Sequence, residues 1–199
     1  TGAAGVQLTV LGNVTGGSAS STRGIEHTGA GNLVVTGDVA GGTSNSTYGI
    51  QNGVGSVSVT GNVTGGGGSE SHGIYVGTGS VTVVGNVTGG TQPSAHGVYN
   101  TSGTVTITGD VFNDAGYGVY NVAGTVTIYG FAKPGPASPL GNHVLYHDST
   151  TAGYIAVDAI EPDPTVLIFP SVRGRIFIRD KNTGYIRMYD TQGQLQTFI

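Results

Sequence analysis

The side chains able to do chemistry are few and scattered. The glycine-rich stretch up to Ala132 holds the carboxylates Glu26, Asp38, Glu70, Asp110 and Asp114. Cleavage of a glycosidic bond needs two acids within several ångströms, and a calcium site needs a cluster of oxygen ligands. Only Asp110 and Asp114 lie in one stretch, so these acids read as solvated or turn-forming groups. The histidines are His27, His72, His96, His143 and His147. His143 and His147 have the spacing of two ligands on a helix, yet HVLYH reads as extended chain, which would separate them by roughly 13 Å. No calcium-binding GGxGxD repeat occurs, and the glycines at 65–68 lack the strand-to-helix setting of a phosphate loop. Neither a catalytic residue, nor a metal site, nor a cofactor site is expected.

Composition narrows the scaffold that carries these residues. Glycine accounts for 38 of 199 positions, charged residues for 9%, and Cys and Trp are absent. The glycines do not fall at every third position, which removes collagen, and Val, Thr, Gly and Asn are strand and turn formers, which removes a helical bundle. With no Cys there is neither a disulfide nor a thiolate metal site. A formal charge of −4 argues against nucleic acid as a partner. No apolar run approaches the length of a membrane-spanning helix, so membrane insertion is not expected. Thr1, with no initiator Met, leads to the expectation of a processed chain or a fragment.

The dominant feature is a repeat. LTVLGNV at 8–14, LVVTGDV at 33–39, VSVTGNV at 57–63, VTVVGNV at 81–87, VTITGDV at 105–111 and VTIYGFA at 126–132 align through Gly12, Gly37, Gly61, Gly85, Gly109 and Gly130. The steps between successive members are nearly constant, and only the last is clearly shorter. A second series keeps the same period: Gly24-Ile25, Gly49-Ile50, Gly73-Ile74, Gly97-Val98 and Gly118-Val119. A unit of two strands and turns cannot bury its apolar face alone, but stacked copies can. The expected fold is therefore all-β: a parallel β-solenoid of about six rungs with a 24-residue period, followed by a small antiparallel β region. The solenoid is expected over 1–132, a Pro/Gly-containing transition over 133–153, and a hairpin region that caps or oligomerises the rod over 154–199.

Stacking turns sequence positions into columns. Leu8, Leu33, Val57, Val81, Val105 and Val126 form one inward column, and Val10, Val35, Val59, Val83, Ile107 and Ile128 the next. Val14, Val39, Val63, Val87 and Val111 follow a corner at which Asn13, Asp38, Asn62, Asn86 and Asp110 form a ladder. His72 and His96 share a column with Arg23, Tyr48 and Tyr117, which reads as a stack of planar groups. Tyr75, Tyr99 and Tyr120, with Gln51, form an outward strip suited to a glycan ring or a neighbouring protomer, or to stabilising that face by stacking alone. At the N-terminal end Leu8, Val10 and Val14 are expected to be exposed and to act as an assembly contact. The outward Thr and Ser positions suggest an ice-binding array, but Leu11, Val34, Val84 and Tyr129 interrupt it, and β propensity explains it better.

The pattern G-I/V-Y-N-x-x-G-x-V-T-I-T-G-D/N-V-T-G-G resembles the Gly-Asn-Val-Thr-rich β-solenoid repeats of phage virion appendages and bacterial surface adhesins. The resemblance covers positions 8–132. It implies a non-enzymatic structural protein of a virion surface: a rigid tail fibre, spike or capsid-surface fibre, homo-oligomeric with a trimer favoured, in contact with other virion proteins and, as a second role, with a host surface polysaccharide. The alternatives are a bacterial adhesin or extracellular filament subunit at the cell surface and, behind these, a carbohydrate-active β-helix enzyme.

Overall fold

The computed structural model describes residues 5–113, 115–134, 145–147, 153–160, 175–179, 186–189 and 195–198; beyond residue 132 the only side chain described is that of Ile155. Among these residues there are strands and turns but no helix, and so no helix long and apolar enough to cross a membrane.

The predicted columns are real neighbours. Gln7–Leu11, Asn32–Thr36, Ser56–Thr60, Ser80–Val84, Thr104–Ile107 and Gly124–Pro134 pair in parallel, one above the next. These six main strands bound five complete turns. Their register matches the alignment read from the repeat: Val59 pairs with Val83, and Val83 with Ile107. A two- or three-residue strand follows each of the first five corners, as at Val63–Thr64 and Val87–Thr88, and stacks in the same way. The third stack contains the short Gly-Ile/Val strands, Ile25–His27 through Val119–Asn121, with Leu145–His147 added at its end.

The interior is aliphatic because each of these stacks contributes inward β-branched side chains. Val35, Val59, Val83 and Ile107 come from the main strands, Val63, Val87 and Val111 from the corner strands, and Ile50, Ile74 and Val98 from the short strands; all are completely buried. Alternation along each strand sends Thr, Ser and Tyr outward. Backbone hydrogen bonds then run between turns, for example from Val63 N–H to Asn86 O at 2.9 Å and from Ile74 N–H to Gly97 O at 2.9 Å. A turn taken alone would leave these groups unpaired, so cohesion lies between turns more than within them.

The stack does not stop where the glycine repeat stops. Gly153–Ile160 pairs in parallel with Gly124–Pro134, and Arg175–Arg179 pairs in parallel with Gly153–Ile160. Val126, Ile155 and Ile176 are aligned from strand to strand, although no constant period separates them in the chain. The change after 132 is thus one of turn chemistry and loop length, while aliphatic alternation still supplies strands that add to the edge. The expected antiparallel region follows: Arg175–Arg179 pairs antiparallel with Ile186–Tyr189, which pairs antiparallel with Leu195–Phe198. The connections between these strands, at 180–185 and 190–194, lie outside the described residues.

The corner ladder has a specific chemistry. The side-chain Oδ1 of each corner residue accepts the backbone N–H of the next: Asn13 from Asp38 at 2.9 Å, Asp38 from Asn62 at 2.8 Å, Asn62 from Asn86 at 2.9 Å, and Asn86 from Asp110 at 2.8 Å. Asp110 accepts from Phe131 N–H at 2.8 Å, and the ladder ends there because a phenyl side chain has no acceptor oxygen to pass on. Only an acceptor oxygen is required, which is why Asp and Asn interchange in this column. The two acids are never vertical neighbours, which avoids like-charge repulsion across one rung. Asp38→Asn is therefore expected to change stability by less than about 0.5 kcal/mol, whereas Asp38→Ala should cost about 1–2 kcal/mol by leaving Asn62 N–H without its partner. Chemical denaturation of both variants checks this.

Candidate functional site: an aromatic groove along the solenoid

The two planar columns form one surface. Each passes through a short strand or the residues just before it, and the bend at Gly49, Gly73 and Gly97 brings residues three apart in sequence side by side. A Cβ at Gly73 would lie 2.6 Å from Gly97 O and 2.7 Å from Thr88 O, so only glycine permits this approach between turns. Along the histidine column, Tyr48 stacks on His72 at 5.2 Å and His72 on His96 at 5.1 Å between ring centroids. Along the tyrosine column, Tyr75 stacks on Tyr99 at 5.4 Å and Tyr99 on Tyr120 at 5.0 Å. The columns also interleave diagonally: Tyr48 with Tyr75 at 5.5 Å, His72 with Tyr99 at 5.0 Å, and His96 with Tyr120 at 5.1 Å.

The array has a tilted end at Tyr117, inclined 52° to His96 and 54° to Tyr120, and a charged end at Arg23. The Arg23 guanidinium lies 5.5 Å from the Tyr48 ring centre, and its Nε donates to Gln51 Oε1 at 2.5 Å. This end of the stack is closed by a cation–π contact.

These contacts decide what the strip can offer. Ring faces are engaged with other rings, so a sugar laid flat on an open tyrosine face is not the arrangement present. What is left toward solvent are ring edges and their polar atoms. Tyr75, Tyr99 and Tyr120 are half-buried, His72 and His96 are buried, and Glu70 and Ser94 are exposed beside them. Together with Tyr48 they line a groove of about 360 Å³, within the range of small-ligand sites. The imidazoles form its floor.

The histidines are held neutral. His96 N–H donates to His72 Nδ1 at 3.0 Å, and Tyr117 N–H donates to His96 Nδ1 at 3.1 Å. A ring nitrogen that accepts carries no proton, so the proton of each neutral ring sits on Nε2. Burial, reinforced by the neighbouring His96, pushes the His72 pKa down to about 3; burial likewise pushes His96 down to about 4, against a small opposing effect of its backbone contact. The Tyr48 phenol is raised, first by burial and then by the nearby Glu70 carboxylate. At neutral pH the groove therefore carries one formal charge among its lining residues, the carboxylate of Glu70.

Metal binding does not fit this geometry. The stacked imidazoles are offset by a full turn, farther apart than two nitrogens sharing one ion, and their outward nitrogens are protonated. Among the described residues no group of three His, Cys, Asp or Glu comes together. Asp114 and His143 lie outside the described residues, as does the side chain of His147. Asp38 and Asp110 are in the corner ladder, in a different column from Glu70.

The other predicted contacts are placed as follows. Leu8 is 61% exposed on the first main strand, while Val10 and Val14 are half-buried and pack against the core. Val6 and Leu11 are exposed beside Leu8, at 53% and 81%, and widen the apolar end of the rod. A second, buried set of asparagines at the ends of the short strands was not evident in the sequence. Asn100 Nδ2 donates to Gly103 O, Asn121 Oδ1 and Ala123 O at 2.8–3.0 Å, and Asn52 Nδ2 donates to Gly55 O and Ser80 O at 2.9 Å. The available signal was the Asn that recurs two residues after the Ile/Val in three of the five Gly-Ile/Val pairs, at 52, 100 and 121.

Fold and side-chain geometry thus define a parallel β-solenoid with a continuous aromatic face. Comparison with protein families, with characterised proteins and with solved structures finds no match to this chain.

Proposed function

We propose that this chain is a non-enzymatic structural protein of a phage virion surface, a rigid β-solenoid appendage of the tail-fibre, spike or capsid-fibre kind, assembling as a homo-oligomer with a trimer favoured. The observation that carries this reading is the unbroken register of six main strands over an aliphatic core. Bending or local opening would have to break inter-turn hydrogen bonds and uncover β-branched side chains together, so stiffness and protease resistance are what such a rod supplies. The exposed Val6, Leu8 and Leu11 suit contact with another protein or another copy.

Antibodies raised against the purified chain test the location. Gold label on projections of purified phage particles, together with a trimer mass by light scattering, is the expected result. Label on the surface of uninfected bacteria and none on particles would overturn it in favour of the adhesin or filament reading.

A further inference from the structure

We infer that the groove bounded by Tyr48, Glu70, Tyr75, Ser94, Tyr99 and Tyr120 binds an extended, uncharged polysaccharide along the solenoid axis, about one sugar per turn, through ring edges and polar atoms in place of open ring faces. This goes beyond the proposal above, taking up the polysaccharide contact that the repeat's resemblance implies, and it holds or fails separately from the location of the rod.

Three observations support it. The first is orientation. With Nδ1 of both histidines bonded to backbone, each Nε2 is a donor. Both rings line the groove, and Nε2 is the donor that each has to offer there. The second is spacing. The tyrosine rings repeat at 5.4 and 5.0 Å, comparable to the length of one pyranose residue along an extended equatorially linked chain. A phenol oxygen both donates and accepts, so it can bond a sugar hydroxyl even where it has another partner. The third is charge. The floor is neutral, the walls are phenolic, and the single carboxylate of Glu70 accepts from hydroxyls but repels a polyanion. A ligand rich in hydroxyls, without charge and with a period near that of the rungs meets all three conditions.

Titration calorimetry of the full chain with cellohexaose, chitohexaose and a galacturonate hexasaccharide tests this. The expected result is that at least one of the two neutral hexasaccharides binds, that affinity rises from the disaccharide to about the tetrasaccharide and then levels, and that the galacturonate binds at least tenfold more weakly. The double variant Tyr75→Phe/Tyr99→Phe keeps the rings and the stack while removing two hydroxyls. It should retain the wild-type melting temperature and lose roughly tenfold in affinity. Glu70→Gln, at an exposed position, should narrow the gap between neutral and galacturonate ligands. Failure of both neutral hexasaccharides to bind, equal binding of the galacturonate, or wild-type affinity in the Phe variant would each overturn the inference. None of these outcomes bears on whether the chain is a virion component.

Discussion

Lowering the pH from 7 to 4 is expected to destabilise the folded chain steeply, and the two stacked histidines are the reason. In the unfolded chain each imidazole protonates near pH 6.5, whereas in the fold burial holds His72 near 3 and His96 near 4. Between these values the unfolded state binds more protons, so stability falls as pH falls. The loss begins below about pH 6.5 and continues until the folded rings themselves protonate. At pH 4 it amounts to on the order of 3 kcal/mol from each ring. Protonation also forces a charge between aromatic neighbours and removes both Nδ1 acceptors from the His96 and Tyr117 backbone N–H groups. The groups around the histidines are Tyr48, Tyr75, Tyr99, Tyr117, Tyr120 and Glu70, and only Glu70 would offer an opposite charge to either ring. Thermal melts across this range measure the effect. His72→Tyr places at this level the ring type already found in the same column at Tyr48 and Tyr117, and it should remove about half of the pH dependence. An unchanged pH profile in that variant would show that other groups govern acid sensitivity.

Gly61→Ala is expected to cost on the order of 3 kcal/mol or more, although it adds a single methyl group. Gly61 has φ +149°, in the region that disfavours every L-residue with a side chain. Its added Cβ would also lie 2.3 Å from Gly37 O and 2.6 Å from Gly37 C, both of which are backbone atoms of the adjacent turn. Flexible side chains can move aside; these atoms cannot, because Gly37 N–H is itself bonded to Thr60 O at 2.9 Å. Gly67→Ala is the matched control. Its Cβ would meet only Thr43 O, at 3.5 Å, an ordinary contact on an exposed loop, and the reduced freedom of the unfolded chain makes this variant neutral or slightly more stable. Equilibrium denaturation of the pair separates corner geometry from a general effect of losing glycine.

The contrast between these two glycines reflects what could be read from the sequence. Gly61 belongs to the column of corner glycines that recurs once per repeat, so its role was visible in the period, and Val59, Val83 and Ile107 were visible in the same way. Vertical neighbours are legible because one number, the period, generates all of them. Lateral neighbours are not. His72 and Tyr75 appeared as members of two separate columns, and nothing in the spacing indicated that the bend at Gly73 and the lean of the stack would place Tyr99 beside His72. Their union into one groove comes from the diagonal offset between the two columns, seen in His72 lying 5.0 Å from Tyr99 and 6.4 Å from Tyr75, which the repeat does not encode locally. Asn100 was missed for a related reason: at the end of a three-residue strand it looks like a loop residue, and only the buried turn it satisfies reveals its role. Past residue 132 the glycine signature disappears, yet strand addition continues. There the loops change length, so Val126, Ile155 and Ile176 fall on no common period although they stack on a common axis.

Disulfide trapping in this Cys-free chain tests the stacked-turn account most directly. Ser58 pairs with Thr82, and Thr82 with Thr106, on the outward face of adjacent main strands. Strand neighbours about 4.8 Å apart fall within the range that a disulfide can bridge, while Ser58 and Thr106, two turns apart, do not. Stacked turns make the Ser58→Cys/Thr82→Cys and Thr82→Cys/Thr106→Cys variants oxidise rapidly within one chain, while Ser58→Cys/Thr106→Cys does not. Cross-linking of the two-turn pair as efficient as that of the one-turn pairs, or none in any of them, would contradict it.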